Sequence, residues 1–208
     1  SLYGWYTMMV YVMSVPGGYL ADKFLGQRQS VTIGGILLLI GHSVLAIENL
    51  IAFYAGLVFI VLGVGMLKPN ISTMVGGLYK QGDVRRDKGF TIFYIGINLG
   101  AFLSSLVVGY VGETYGWHYG FGLAGIGMAL GVAQYMWGQK YLAHVGNFLG
   151  ASTQTSEAMD APLTKVEKDR VVILLISFLL VILFWGAFEQ AGGPVSYTHL
   201  TLPTSNSV

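Results

Sequence analysis

The sequence predicts an all-α protein that crosses a membrane several times, and three observations carry that prediction. Hydrophobic residues make up 54% of the 208 residues and charged residues only 10%, with a mean hydropathy of +0.63. A soluble domain carries about a quarter of its residues as charges. The apolar residues come in long continuous runs instead of alternating at every second position, which argues against the strands of a membrane barrel. Finally, the charges are confined almost entirely to the short stretches between the runs.

Six runs are long enough for a bilayer span, which takes about 20 mostly apolar residues. They cover residues 2–20, 30–47, 50–79, 90–111, 119–137 and 171–188. The first ends at the charged loop Asp22-Lys23, and the second lies between Arg28 and Glu48. The third is too long for one straight span and contains Pro69, which removes a helical donor and is expected to kink it. The fourth follows the basic group Arg85, Arg86 and Lys88, the fifth lies between His118 and Lys140, and the sixth follows Lys165, Lys168 and Arg170.

The loops set an orientation. Lys or Arg occurs in the first, third and fifth connections, and none occurs in the second, around Glu48-Asn49, or in the fourth, around 113–118. Basic residues stay on the cytoplasmic side, so the odd-numbered loops are expected there and Leu2 near the outer face. An odd number of spans is then expected ahead of Leu2, most simply one. Residues 1–20 carry neither an initiator Met nor a basic leader, so the chain reads as beginning inside a longer protein. A short repeat, GYLAD at 18–22 and GYVGE at 109–113, lies three spans apart on opposite sides, as an inverted repeat requires.

Composition narrows the chemistry. A net charge of +1 with so few charges forms no basic face for nucleic acid. Cysteine is absent, and His42, His118, His144 and His199 share no ligand spacing, so no metal site is expected. No span holds a nucleophile with a base, so an enzyme is not expected. Lys68 is the exception within the apolar runs. An ionisable side chain in a span costs about 2.5–3.5 kcal/mol on insertion scales and by default marks a substrate or ion pathway.

The residues around it are specific. The stretch LGVGMLKPNIS (62–72) is followed in the next span by GFTIFYIGINLGAF (89–102), and FWGAFEQAG (184–192) closes the sixth. The first loop reads GGYLADKFLGQRQS from Gly17. This loop resembles the signature loop of major facilitator transporters, with Gln27 in place of the first basic residue. The three spaced motifs resemble the proton-dependent oligopeptide transporter family, and the resemblance runs from Ser1 to Gly193.

The resemblance implies a major facilitator architecture and helices 2 to 7 of a proton-coupled symporter for di- and tripeptides in the cell membrane. Its domains would be residues 1–142, helices 2–6 of the amino-terminal bundle; 143–169, a cytoplasmic linker; and 170–193, the first helix of the carboxy-terminal bundle. Residues 194–208, polar and unlike the rest, read as a non-native tail. The implied partners are a small peptide, protons, the lipid bilayer and the missing helices of the full-length protein. The proton is the coupling ion and no cofactor is expected. The family's first helix carries an E-x-x-E-R motif, and the chain is expected to start after it.

The matched positions suit a peptide. Lys68 can hold its carboxylate, and a desolvated lysine can also exchange a proton. Asn98 offers an acceptor and two donors for an amide. Glu189 is complementary to the ammonium and is implied, with Lys68, in proton coupling. Tyr94 lies one turn before Asn98 on the same face, and Tyr11 in the first span is implied as a further contact. Asp22, Lys23 and Arg28 form the implied gating loop. Competing readings remain: Lys68 snorkelling to the interface, Asn98 bonding across a Gly96–Gly100 helix contact, Glu189 as a solvated helix end, and Tyr11 as ordinary packing. For the whole protein, the alternatives are a proton-coupled carrier of another solute, such as an amino acid or nitrate, and a sensor that moves nothing.

Overall fold

Pro16 divides the first apolar run. It has no N–H to offer the carbonyl of Val12, and α1 (Leu2–Val12) stops there. After a turn at Met13 the chain enters α2 (Ser14–Leu20), whose first turn accommodates Pro16 without losing a needed donor. A π-helical turn (Ala21–Leu25) extends the rod to Gly26, where φ reaches +76° and ends it. The computed structural model describes residues 2–80, 82–147 and 164–189, with 185, 186, 188 and 189 described by backbone alone.

Helix α3 (Gln27–Leu45) returns through the bundle. Asn49 then caps α4 (Leu50–Gly77): its side-chain oxygen accepts from the N–H groups of Ile51 at 2.7 Å and Ala52 at 3.4 Å. The helix runs unbroken past Pro69. Helix α5 (Arg85–Ser104) begins beside Asp83, whose carboxylate accepts from Arg85 N at 2.9 Å and pairs with its guanidinium at 2.8 Å. Those bonds hold the Asp83 carboxyl below the usual range, so they persist at neutral pH and are lost as pH falls through that depressed value. A π-helical turn (Ser105–Gly109) joins α5 to α6 (Tyr110–Tyr115). Gly116, at φ +121°, starts α7 (Trp117–Gly138), which closes in a 3₁₀ turn (Gln139–Tyr141).

The described part of the second compact unit, which spans Thr153–Val208, is α8 (Lys165–Glu189). It starts five residues before the 170 expected from the sequence, because Thr164 and Glu167 cap one another: Thr164 N and Oγ1 donate to Glu167 at 2.8 and 2.7 Å. The expected tail, 194–208, lies outside the described residues.

Counted as rods (α1–α2, α3, α4, α5–α6, α7 and α8), the described residues form six helical segments and no strand. Three are long and apolar enough to cross a membrane by length and composition: Gln27–Leu45, Leu50–Gly77 and Arg85–Tyr115. Helix α7 is long enough but glycine-diluted, and the first rod is broken at Met13.

Glycine sets the closest packing in the first unit. Helices α3 and α4 run antiparallel and touch at two reciprocal pairs, Gly34–Gly63 and Gly41–Gly56. A Cβ on Gly34 would come within 2.7 Å of the Gly63 carbonyl oxygen, and one on Gly63 within 2.8 Å of the Gly34 oxygen. Without side chains between them the backbones approach closely, which drives helix association where lipid removes the hydrophobic gain. Leu38, Leu45 and Ile60 form one core around these pairs, and Val31, Met74 and Val145 a second.

The ends of the bundle are tied separately. At one end the Gly146 carbonyl accepts from Arg28 N at 2.9 Å, Tyr135 OH donates to the Arg28 carbonyl at 3.2 Å, and Gln139 Nε2 donates to Thr32 Oγ1 at 3.0 Å. At the other, His118 Nδ1 lies 2.7 Å from Glu48 Oε1 and joins the two loops that lack Lys and Arg. Helix α5 buries no residue in this unit.

Candidate functional site

Helix α4 brings one charge into the apolar bundle. Lys68 is exposed, on the open side of α4 and away from the α3 interface, and its Nζ lies 4.7 Å from the centre of the Tyr11 ring on α1. A cation over an aromatic face gains about 0.5–1 kcal/mol when exposed and about 2 when desolvated. Placing a lysine in a span costs about 2.5–3.5 kcal/mol, so the ring alone does not offset the cost. No carboxylate pairs with Lys68 among the described residues.

The neighbouring backbone is also prepared. Pro69 leaves the Gly65 carbonyl without its usual helical donor, while Ser72 Oγ and Thr73 Oγ1 donate to the Lys68 and Pro69 carbonyls at 3.2 and 3.0 Å. One turn beyond Lys68, Ser72 borders a hollow of about 510 Å³ against α5, lined also by Phe90, Thr91, Phe93, Tyr94 and Ile97. That volume lies within the usual range for a small-molecule pocket.

Tyr94 and Asn98 follow one another on α5. Asn98 Nδ2 donates to the Tyr94 carbonyl at 2.8 Å, which leaves its oxygen and second hydrogen available. Both residues are exposed, and Tyr94 borders the hollow while Asn98 does not. The structure therefore brings Lys68 to Tyr11 and Tyr94 to the α4–α5 hollow. No hydrogen bond joins Asn98 to Lys68 among the described residues. Glu189 ends α8, and its side chain lies outside the described residues.

In the first loop Asp22 is exposed within the π-helical turn. Lys23 Nζ donates to Tyr19 OH at 2.8 Å and lies 5.3 Å from that ring. Arg28 is half-buried and contributes through its backbone to the tie with Gly146 and Tyr135.

Sequence reasoning passed over Asn70. It is 3% exposed, and its amide donates to Met66 O at 2.7 Å and, by a longer bond, to Gly17 O at 3.4 Å. An Asn deep in an apolar helix was the available signal, because a buried amide needs partners.

A helical bundle with three segments long and apolar enough to cross a membrane, one of them carrying a lysine, defines the class of polytopic membrane proteins. Comparisons narrow the class. The model of the POT family (PTR2) matches residues 28–159. A di-/tripeptide transporter of Lactococcus lactis subsp. cremoris is 38% identical over 193 residues, 92% of this chain and 36% of the relative. The peptide transporter YePEPT of Yersinia enterocolitica is 49% identical over 131 residues, 62% of this chain and 26% of the relative. Among solved structures, a mutant of the peptide transporter POT in complex with alafosfalin matches 88% of this chain and 36% of its own, at 42% identity and a TM-score of 0.67. A POT family transporter in complex with 5-aminolevulinic acid matches 93% and 37%, at 35% identity and the same TM-score.

The chain belongs to the POT family, whose members are membrane transporters and not enzymes, built on the major facilitator architecture. It spans about a quarter to just over a third of the length of the curated relatives it matches.

Proposed function

We propose that the chain is part of a proton-coupled symporter of di- and tripeptides in the cytoplasmic membrane. The observation that carries the reading is Lys68, a cation in an apolar helix with an aromatic face for a partner and, among the described residues, no carboxylate paired with it. A peptide's terminal carboxylate supplies the missing charge. Asn98 and Tyr94 supply polar groups for its backbone, and Tyr11 a wall for a side chain. Glu189 pairs with the ammonium. Lys68 and Glu189 exchange the coupling proton, so binding of peptide and of proton are linked at the same groups. Asp22, Lys23 and Arg28 act at the cytoplasmic mouth. Residues 1–142 are read as helices 2–6 of the amino-terminal bundle, 170–193 as the first helix of the carboxy-terminal bundle, and 143–169 as the linker, in a transporter that works by alternating access.

The experiment uses the full-length protein in proteoliposomes with an inward proton gradient. Dialanine accumulates, and excess alanine or nitrate does not compete. Competition by 5-aminolevulinate would support a second reading, a carrier of amino-acid-like solutes, which the ligand of one solved relative favours. Transport of nitrate or alanine in place of dipeptide would overturn the peptide assignment.

Two further results are expected. Glu189→Gln weakens uptake of dipeptides with a free amino terminus about tenfold, and of amino-terminally acetylated ones much less, as loss of one charge-assisted contact implies. Equal losses for both would remove Glu189 from ammonium recognition. A reporter inserted in 138–169 faces the cytoplasm and one at Glu48-Asn49 faces outside, and the opposite labelling would overturn the orientation.

A further inference from the structure

Between Tyr11 and Lys68 stands a junction that neither residue makes. Helix α2 meets α4 at Gly17, and the contact has three parts. Pro69 denies the Gly65 carbonyl its helical donor, and that oxygen lies against the Gly17 backbone so closely that a Cβ on Gly17 would run into it. Gly65 in turn sits on Met13, where its own Cβ would come within 2.6 Å of the Met13 carbonyl oxygen. Asn70 closes the contact, because one amide hydrogen serves Met66 O in its own helix and the other serves Gly17 O across the interface.

We propose that Asn70 is a positioning residue, which with Gly17, Gly65 and Pro69 fixes the register of the first rod on α4 and thereby holds the Tyr11 ring over Lys68. The geometry makes the dependence direct. Asn70 lies two residues past Lys68 on α4, and Gly17 lies six past Tyr11 on a rod broken at Met13. Only the bond to the Val12 carbonyl is lost at that break, because Met13 N still donates to Met9 O at 2.9 Å and Gly17 N to Met13 O at 3.1 Å. A register fixed at Gly17 is therefore carried along the rod to Tyr11. The Gly17 carbonyl already accepts from Ala21 N–H within its own rod. Removing the amide therefore takes away its one side-chain bond from α4 and, with it, the polar contact that fixes the register of the rod. The Lys-Pro-Asn sequence then has a division of labour: Lys68 receives the anion, Pro69 frees the carbonyl that Gly17 covers, and Asn70 locks the pair.

The proposal deepens the reading of Lys68 as the peptide-carboxylate site and rests on it for its transport consequence, but not for its geometric one. In the full-length protein freed of other cysteines, Tyr11→Cys and Lys68→Cys are joined by a short bifunctional thiol reagent. Joining is read as two halves that stay together after protease cleavage at a site placed in the 48–49 loop. Asn70→Leu should lower the joined fraction severalfold. With native Tyr11 and Lys68, the same change should raise the KM for dialanine about tenfold, and this rise should vanish when Tyr11 is already Leu, because two residues acting through one contact are not additive. If Asn70→Leu does not accumulate in the membrane, Asn70→Ser replaces it, since its hydroxyl bonds the carbonyl four residues back and loses only the bond to Gly17. An unchanged joined fraction overturns the proposal, as does a KM effect that multiplies with Tyr11→Leu. A joined fraction that falls while Lys68→Ala transports normally leaves the positioning role standing and overturns the reading of the site.

Discussion

Lys68→Ala in the full-length protein should reduce proton-driven dialanine uptake to background, a loss of about a hundredfold. Removing one partner of a close charge pair costs about 2–5 kcal/mol, which spans that factor. The expectation follows from magnitudes at the site. The Tyr11 ring does not offset the cost of a lysine in a span, and in the proposed reading the peptide carboxylate is the anion that Lys68 receives. Lys68→Arg should fail as well: it keeps the charge and the ring contact but does not release a proton near neutral pH. The pair of variants separates two roles. If Lys68→Arg binds dialanine in exchange but does not accumulate it, binding needs the charge and coupling needs the titration. Retained accumulation in Lys68→Ala would make the lysine structural.

Gly34→Val should be the most damaging change away from the site. A Cβ there already falls 2.7 Å from the Gly63 oxygen and 2.8 Å from Leu67 N, and both are backbone atoms that cannot turn aside. Overpacking of this kind costs about 1–3 kcal/mol and more where backbones meet. The purified full-length protein should lose several degrees in its thermal midpoint, with far less protein reaching the membrane. Gly138→Val at the end of α7, where a Cβ meets open space beside a loop, is the control and should leave the amount inserted unchanged. Equal behaviour of the two would mean that the α3–α4 contact does not hold the bundle.

Much of this was legible in the chain, for identifiable reasons. Helix α4 and its lysine were visible because a charge in an apolar run of that length is costly, and the motifs around it carry the family. Gly26 lies within the loop GGYLADKFLGQRQS and takes the positive φ that glycine adopts at little cost. The break at Met13 was signalled by Pro16, but the hydropathy of 2–20 is continuous, and hydropathy alone cannot see a missing donor. Pro69 was expected to kink α4, and the structure shows a helix that continues through it and puts the freed Gly65 carbonyl to use against Gly17. The π-helical turn at Ser105–Gly109 has no composition signal, since its residues are as apolar as their neighbours. Asn70 was hidden by its neighbours: beside a lysine and a proline, an asparagine reads as part of a motif until its burial and its two carbonyl partners are seen.

The central claim is that peptide and proton cross together through a site built on Lys68. The most direct measurement is proton movement driven by substrate. Full-length protein is sealed into vesicles that hold a pH-sensitive dye, with equal pH on both sides and the membrane potential clamped at zero. Adding dialanine outside should acidify the interior at a rate that rises and saturates with peptide, and Lys68→Ala vesicles should show no change. Dialanine that enters without acidification, or acidification that survives Lys68→Ala, would contradict the account.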